Sequence, residues 1–323
     1  MLERPPYASS VSQHRLWAAA VIAALVGIGI GETFERITPA TTFRTDNLQV
    51  DESATFESAT SAVTFTNGPS GINGYSGTHL EWNEEWMATY ANGSITGPFN
   101  VTTNSGNAAI GTVTASGRPG IIQMQTGTST STGNIEIQTA NTFIDFGAFT
   151  QTTLSSTLGF EALSNGTDTY AFFAGYCDAA AASINCTDGC GFLYDQGNVA
   201  TGGVNTGNAN TWEATCASNS SRTFYLLNGT GNCDVGPAGT ANVAAYVAPN
   251  TNIQTMTVTV TPTLATFKVN NTVVCQINTN IPSGSSRVTG AQQHMLKSAG
   301  STSRVVDIDR TMLSIDLPTP RSP

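Results

Sequence analysis

The sequence predicts an all-β protein: an antiparallel two-sheet β-sandwich, preceded by an apolar N-terminal segment and a β-rich stalk. Three observations predict it. Thr, Ser and Asn make up roughly a third of the 323 residues, beside 32 Gly, and these are weak helix formers that suit strands and turns. Apolar residues recur at every second position through many short segments, which is the period of a half-buried strand. Only 11% of residues are charged while 39% are hydrophobic, so the chain can fill a large core and lacks the charge of a disordered one.

Residues 1–38 read as a docking segment built around an apolar run at residues 16–30, LWAAAVIAALVGIGI. The run is short for a bilayer span, which takes about 20 residues. It follows Arg15 and fits the apolar region of a secretory signal. Yet Glu3 lies in the long segment before it, and no small-x-small cleavage site follows. Two readings stay open: a signal or membrane anchor, or a segment buried against partner chains. Small residues such as Ala18, Ala23, Gly27 and Gly29 allow close backbone approach in either case.

Residues 39–79 carry a thinner alternation. Leu48, Val50, Ala54, Phe56, Val63 and Phe65 recur between Thr, Ser and acidic residues. Such strands cannot bury a core alone, so the segment is either an ordinary linker or a stalk in which several chains complete one another. Gly68-Pro69, Gly71, Gly74 and Gly77 punctuate a boundary near residue 79.

Residues 80–317 form the main domain, with 318–323 as a tail. Ile121–Gln125 follows a Gly-Arg-Pro-Gly turn. Ile135 and Ile137 share one strand face, with Glu136 and Gln138 on the other. Tyr170–Tyr176 and Gly191–Tyr194 read as buried strands. Met256, Val258 and Val260 alternate with threonines, and Asn270-Asn271 is a two-residue hairpin turn, since Asn tolerates positive φ. Val273–Ile277 returns. Val306 and Ile308 alternate with Asp307 and Asp309, and Leu313, Ile315 and Leu317 with Ser314 and Asp316. Many half-buried strands without helical punctuation make a sandwich.

Two resemblances follow from particular phrases. DNLQVDESATFESATSAVTF, within the stalk, resembles the repeats of trimeric phage fibre proteins. In the main domain, Glu81–Trp86, Gly117–Gly127, Cys190–Asp195, Ala265–Val274 and His294–Arg304 resemble, in order, phrases of the concanavalin A-like (laminin G-like) jelly-roll domains of bacteriophage virion proteins. Arg118 stands where that family usually has His. The resemblance implies a jelly roll. It transfers function poorly, because this sandwich hosts lectins, glycosidases and structural modules alike.

Charge and motif content narrow the chemistry. Net charge is −10, with 12 Lys+Arg against 22 Asp+Glu, and the only lysines are Lys268 and Lys297. No basic patch is available for a phosphate backbone, so no nucleic-acid partner is expected. His14, His79 and His294 are far apart and lack a nucleophile motif. Glycoside hydrolysis needs two carboxylates about 5–10 Å apart. Glu81, Glu84 and Glu85 depart from the one-strand Glu-x-Asp-x-x-Glu spacing, and Asp307 and Asp309 read as solvated. Cys177, Cys186, Cys190, Cys216, Cys233 and Cys275 lie close together in sequence. An even count suggests disulfides tying the loops between residues 177 and 240 in an oxidising medium, with buried free thiols as the other reading. A zinc site would show a second short pair, so no metal and no cofactor are expected. The sequons at Asn92, Asn100, Asn165, Asn185, Asn219, Asn228 and Asn270 are what chance yields in such a composition. Trp212, Tyr225 and the loop 197–210 are candidates for sugar contact, with packing as their alternative role.

The expectation that follows is a non-catalytic structural protein of the bacteriophage virion surface, either a fibre or a capsid decoration. It would be a homotrimer, dock to other virion proteins through its N-terminal segment, and display the jelly roll toward host-surface glycans. The alternatives are a secreted or membrane-anchored lectin-like protein, and a glycan-degrading enzyme.

Overall fold

In a computed structural model the chain is a two-sheet antiparallel β-sandwich. The structure describes residues 70–75, 78–84, 86, 95–96, 99–105, 108–112, 120–129, 133–139, 142–178, 184–195, 211–229, 233–235, 247, 249, 251–284 and 286–319. The docking segment with its apolar run, most of the stalk, Glu85 and the loop 197–210 therefore lie outside the described residues.

Among the described residues one sheet has nine strands. Its order is β1 (Ser70–Tyr75), β2 (His79–Glu84), β17 (Val305–Asp316), β8 (Gln151–Phe160), β13 (Gln254–Val260), β14 (Ala265–Val269) and β15 (Thr272–Ile277); β6 (Ile122–Gln125) also pairs with β17, and β5 (Ala109–Thr112) with β6. The other has eight: β12 (Ser221–Leu226), β11 (Trp212–Ser218), β10 (Gly189–Asp195), β9 (Thr169–Cys177), β16 (Gly290–Ala299), β7 (Asn134–Thr139), β4 (Phe99–Ser105) and β3 (Ile95–Thr96). No helix among the described residues is long and apolar enough to cross a membrane.

The core between the sheets is aromatic. Phe160 of β8 meets Tyr170 and Phe172 of β9, Tyr194 of β10 and Trp212 of β11, with ring centroids 5.1 to 5.9 Å apart. Phe192 of β10 meets Phe267 of β14 edge-on at 5.3 Å. Each such ring removes a large apolar area from water, worth about 1.5–3 kcal/mol, and each pair adds roughly 0.5–1.5 kcal/mol. A polar bridge joins the sheets as well: Gln293 of β16 donates to Ser156 Oγ at 2.8 Å and to Thr311 Oγ1 at 3.2 Å.

Two details give the expected strands their final form. The two C-terminal alternations are halves of the single strand β17, whose register shifts between Ile308 and Arg310. That bulge moves the buried positions from even (Val306, Ile308) to odd (Thr311, Leu313, Ile315). At the β14–β15 hairpin, Asn270 and Asn271 have φ of 48° and 65°, the positive values a two-residue turn of this twist requires.

All six cysteines are paired. Cys177–Cys186 closes the loop between β9 and β10, Cys190–Cys216 joins directly opposed residues of β10 and β11, and Cys233–Cys275 ties the segment after β12 to β15. The first ties the loop after β9 back to that strand's last residue, the second clamps two strands, and the third fastens a loop residue to a strand. Their sequence separations of 9, 26 and 42 correspond to roughly 2.5–4 kcal/mol each by chain entropy. Three disulfides fit an extracellular or secreted protein.

Candidate functional site

Strand pairing sets out the outer face of the eight-stranded sheet. One cross-strand row runs Thr102, Glu136, His294, Phe173, Leu193, Glu213 and Leu226 over β4, β7, β16, β9, β10, β11 and β12. The neighbouring row runs Asn100, Gln138, Gln292, Gly175, Gly191, Thr215 and Phe224. Directly opposed residues share a face, and the alternate residues of these strands, such as Ile135, Phe172, Phe192 and Met295, fill the core.

This outer face is buried, and it is polar. Glu136, Asp195, Glu213 and His294 are each 0% exposed, and Asn134 and Gln292 are nearly so. Gln292 Nε2 donates to Glu136 Oε1 in a short contact, and His294 Nε2 pairs with Asn134 Oδ1 at 2.6 Å. Glu136 Oε2 and Gln292 Oε1 are buried and accept no hydrogen bond. Burial pushes the Glu136 carboxyl up to about 7, with the Gln292 amide opposing that only in part. On the far side, burial pulls the Arg222 guanidinium down while Glu213 and Asp195 counter it.

An apolar patch separates the two polar regions. Phe173, Ala171 and Leu193 are covered by Ile184 and Cys186 of the Cys177–Cys186 loop. Glycine makes this possible: a Cβ on Gly191 would stand 2.4 Å from the Phe173 ring. Arg222 and Thr215 line a small cavity beside the same loop.

Geometry limits what the carboxylates can do together. Glu136 and Glu213 are four strand spacings apart, about 19 Å, too far to serve one scissile bond. Asp195 and Glu213 are diagonal neighbours on adjacent strands, about 7–8 Å apart, within the range that hydrolysis uses. A carboxyl that titrates near neutrality, as Glu136 does, is the kind of group that gives or takes a proton.

The residues singled out from sequence fall elsewhere. Glu81 and Glu84 are on β2 of the nine-stranded sheet; Glu81 is 3.6 Å from His79, and buried Glu84 accepts the Trp86 amide. His79 lies 2.5 Å from Asp316, a contact that raises its pKa. Asp307 is half-buried and accepts from Gln123 at 3.0 Å, and Asp309 sits at the β17 bulge. Trp212 is a core residue stacked on Phe160, so its candidacy for sugar contact is withdrawn: its ring is 0% exposed. Tyr225 hydrogen-bonds Asp234, which also accepts the Asn278 and Thr279 amides. The His294–Arg304 phrase does structural work beyond His294. Lys297 donates to the carbonyls of Gly127 and Thr302, Arg304 pairs with Asp168 at 3.1 Å, and Gly300 at φ 90° leaves room for Asp168. Among the described residues no group of three or more His, Cys, Asp or Glu is placed to hold a metal.

Sequence reasoning missed Glu136, Gln292, Asp195 and Glu213. The available signal was indirect. Tyr170–Tyr176 and Gly191–Tyr194 read as buried on both faces, which implies that their polar neighbours across the sheet are covered too.

No protein-family model and no curated protein matches the chain. Solved structures do. A protein of unknown function from Shewanella oneidensis MR-1 aligns with a TM-score of 0.51 at 8% identity, over 81% of this chain and 93% of that one. A prokaryotic β-1,3-1,4-glucanase (lichenase) from a mouse hindgut metagenome aligns at 0.44 and 11% identity, over 73% and 99%. An endo-1,3-β-glucanase from Streptomyces sioyaensis aligns at 0.44 and 12%, over 79% and 100%. What the chain shares with these structures is the antiparallel two-sheet β-sandwich. The expectation that the chain is not an enzyme is corrected here: glucanases are among the proteins sharing this architecture. At these identities the likeness concerns the fold. It does not bear on a virion, a stalk or a trimer.

Proposed function

We propose that the chain is an extracellular jelly roll that recognises glycan through the outer face of its eight-stranded sheet, at the strands carrying Glu136 and Gln292. The observation that supports it is the buried polar cluster on a face that a purely structural sandwich leaves solvated or covers with apolar side chains. Two acceptors there have no donor, and sugar hydroxyls are donors. The disulfides suit the compartment in which such ligands are met. The named activities of the glucanases add support of a general kind, and the Asp195–Glu213 spacing keeps hydrolysis within reach.

The test is binding of the full chain to a panel of soluble glycans, read by calorimetry, with reducing-end release assayed in parallel. At least one glycan should bind, and Gln292→Ala should weaken it about tenfold or more, while Ser155→Ala on the opposite sheet should not. Absence of binding across the panel, or equal loss in both variants, would overturn the reading. Reducing-end release lost on Glu213→Gln would assign catalysis to the Arg222 side of the face.

A further inference from the structure

The cluster around Glu136 has a hydrogen-bond deficit and no facing cation among the described residues. Glu136 is fully buried with Oε2 unpaired, and Gln292, 2% exposed, has committed its amide nitrogen to Glu136 and left Oε1 unpaired. Each orphan oxygen belongs to a group in contact with the other. Asn100 Oδ1, on the adjoining β4, is a third buried acceptor without a partner. A buried acceptor left without a donor is costly, and several in one place call for a ligand, an ion or ordered water.

Every described strand packed around Glu136 can be inspected for a compensating charge. β7 itself brings Asn134 and Gln138, β4 brings Asn100 and Thr102, and β16 brings Gln292 and His294. Beyond β16, β9 brings Gly175 and Phe173. Among these the one other titratable group is His294, which bonds Asn134. No lysine or arginine faces Glu136 from these strands. Farther along the same face, Asp195 and Glu213 outnumber Arg222. The missing partner must therefore bring donors and positive charge, and a carboxylated or sulfated ligand would be repelled.

Resting on the glycan reading above, we infer that this cluster of acceptors takes the free ammonium group of an amino sugar. An ammonium carries three donors and no acceptor, the complement of a site holding Glu136 Oε2, Gln292 Oε1 and Asn100 Oδ1. Its hydrogen bonds to Glu136 would be charge-assisted, the stronger kind. An inorganic cation shares the charge without the sugar, so the test separates the two.

The experiment is calorimetric titration of the full chain at pH 6.5 with a β-linked glucosamine oligomer, its N-acetylated counterpart, a neutral glucan oligomer of equal length, and potassium or calcium chloride alone. The glucosamine oligomer should bind at least tenfold more tightly than the acetylated one. Glu136→Gln should bring that ratio close to one, and Ser155→Ala should leave it as in the wild type. A denaturation curve for Glu136→Gln establishes that it is folded. Equal affinity for the acetylated and deacetylated oligomers would overturn this inference and leave the glycan reading standing. Failure of every glycan would overturn both. Saturable binding of potassium or calcium alone, abolished in Glu136→Gln and without any amine preference, would give these acceptors to an inorganic cation and overturn the amino-sugar assignment.

Discussion

The two sheets turn opposite kinds of outer face away from the same core. On the nine-stranded sheet, β8 and β13 present three hydroxyl pairs, Thr153 with Thr259, Ser155 with Thr257 and Thr157 with Thr255, at 3.1, 3.0 and 3.1 Å. Each is half-buried, and each satisfies its partner. On the eight-stranded sheet the equivalent positions hold glycine, phenylalanine and buried acids and amides, with one oxygen each of Glu136 and Gln292 lacking a donor. The first face is what alternation predicts for a sheet with one wet side. The second departs from that rule, and the departure is what marks it as a site.

The largest expected effect contrasts one outer-face position in each sheet. Gly191→Val on β10 would drive a side chain into the Phe173 ring and toward the Ala174 carbonyl, 2.4 and 2.9 Å from a Cβ. Ile184 and Cys186, the latter bonded to Cys177, pack against the same ring. A loss of about 3 kcal/mol is expected, at the upper end for overpacking. Ser155→Val on β8 should change stability by no more than about 0.5 kcal/mol. Urea denaturation of both variants measures the contrast, and similar losses would mean that the two faces are equally covered.

Next in size is a pH effect. The carboxyl of Glu136 is raised to about 7 in the fold from an ordinary 4.5, because burial disfavours its charge. Between these values the folded state binds the extra proton, so stability falls as pH rises from about 4.5 to 7 and levels above that. The loss through this group is on the order of 3 kcal/mol. Glu136→Gln removes the charge, so the variant should show a flatter pH profile and exceed the wild type at pH 8. His79 works in the opposite setting. Its half-exposed contact with Asp316 raises its pKa, so its modest contribution is present at low pH and fades as pH passes the folded value. Denaturation midpoints from pH 4.5 to 8.5, with His79→Ala alongside, separate the two groups. A wild-type profile unchanged by Glu136→Gln would contradict the burial of that carboxyl.

Much of the fold was legible because its causes are local. Asn270 and Asn271 announce their turn, and the alternation of Met256, Val258 and Val260 with threonines announces β13. The parity change between Ile308 and Leu313 was visible too, although it takes the pairing to β6, β2 and β8 to show that one bulged strand connects them. The site was less legible for a physical reason. Ile135, Glu136 and Ile137 alternate as a wet-faced strand does, and nothing local distinguishes a polar residue facing water from one that is covered. That distinction lies in β9 and β10, whose Gly175, Gly191 and Phe173 are buried outward as well as inward. The acidic cluster around Glu81 attracted notice because its carboxylates are adjacent in sequence, whereas Asp195 and Glu213 are brought together only by the pairing of β10 with β11.

The smallest expected effect concerns the hydroxyl ladder itself. Thr257→Val keeps the branched shape that a strand favours and removes one hydroxyl from the pair with Ser155. Because the pair is half-exposed, water can satisfy the remaining hydroxyl, so the net cost should be about 0.5 kcal/mol. Substituting both partners, Thr257→Val with Ser155→Ala, should cost little more than the first change alone, since neither side is left with an unmet group. The same double-mutant cycle applied to Gln292 and Glu136, with Gln292→Leu and Glu136→Leu, should behave differently. There the single Gln292→Leu change strips a buried carboxyl of its one donor among the described residues, and the double change should recover much of that loss. Near-additive, small terms on one face and strong coupling on the other would show that the contrast between the faces is one of burial. Equal coupling in both cycles would mean that the eight-stranded sheet's outer face is as wet as its counterpart.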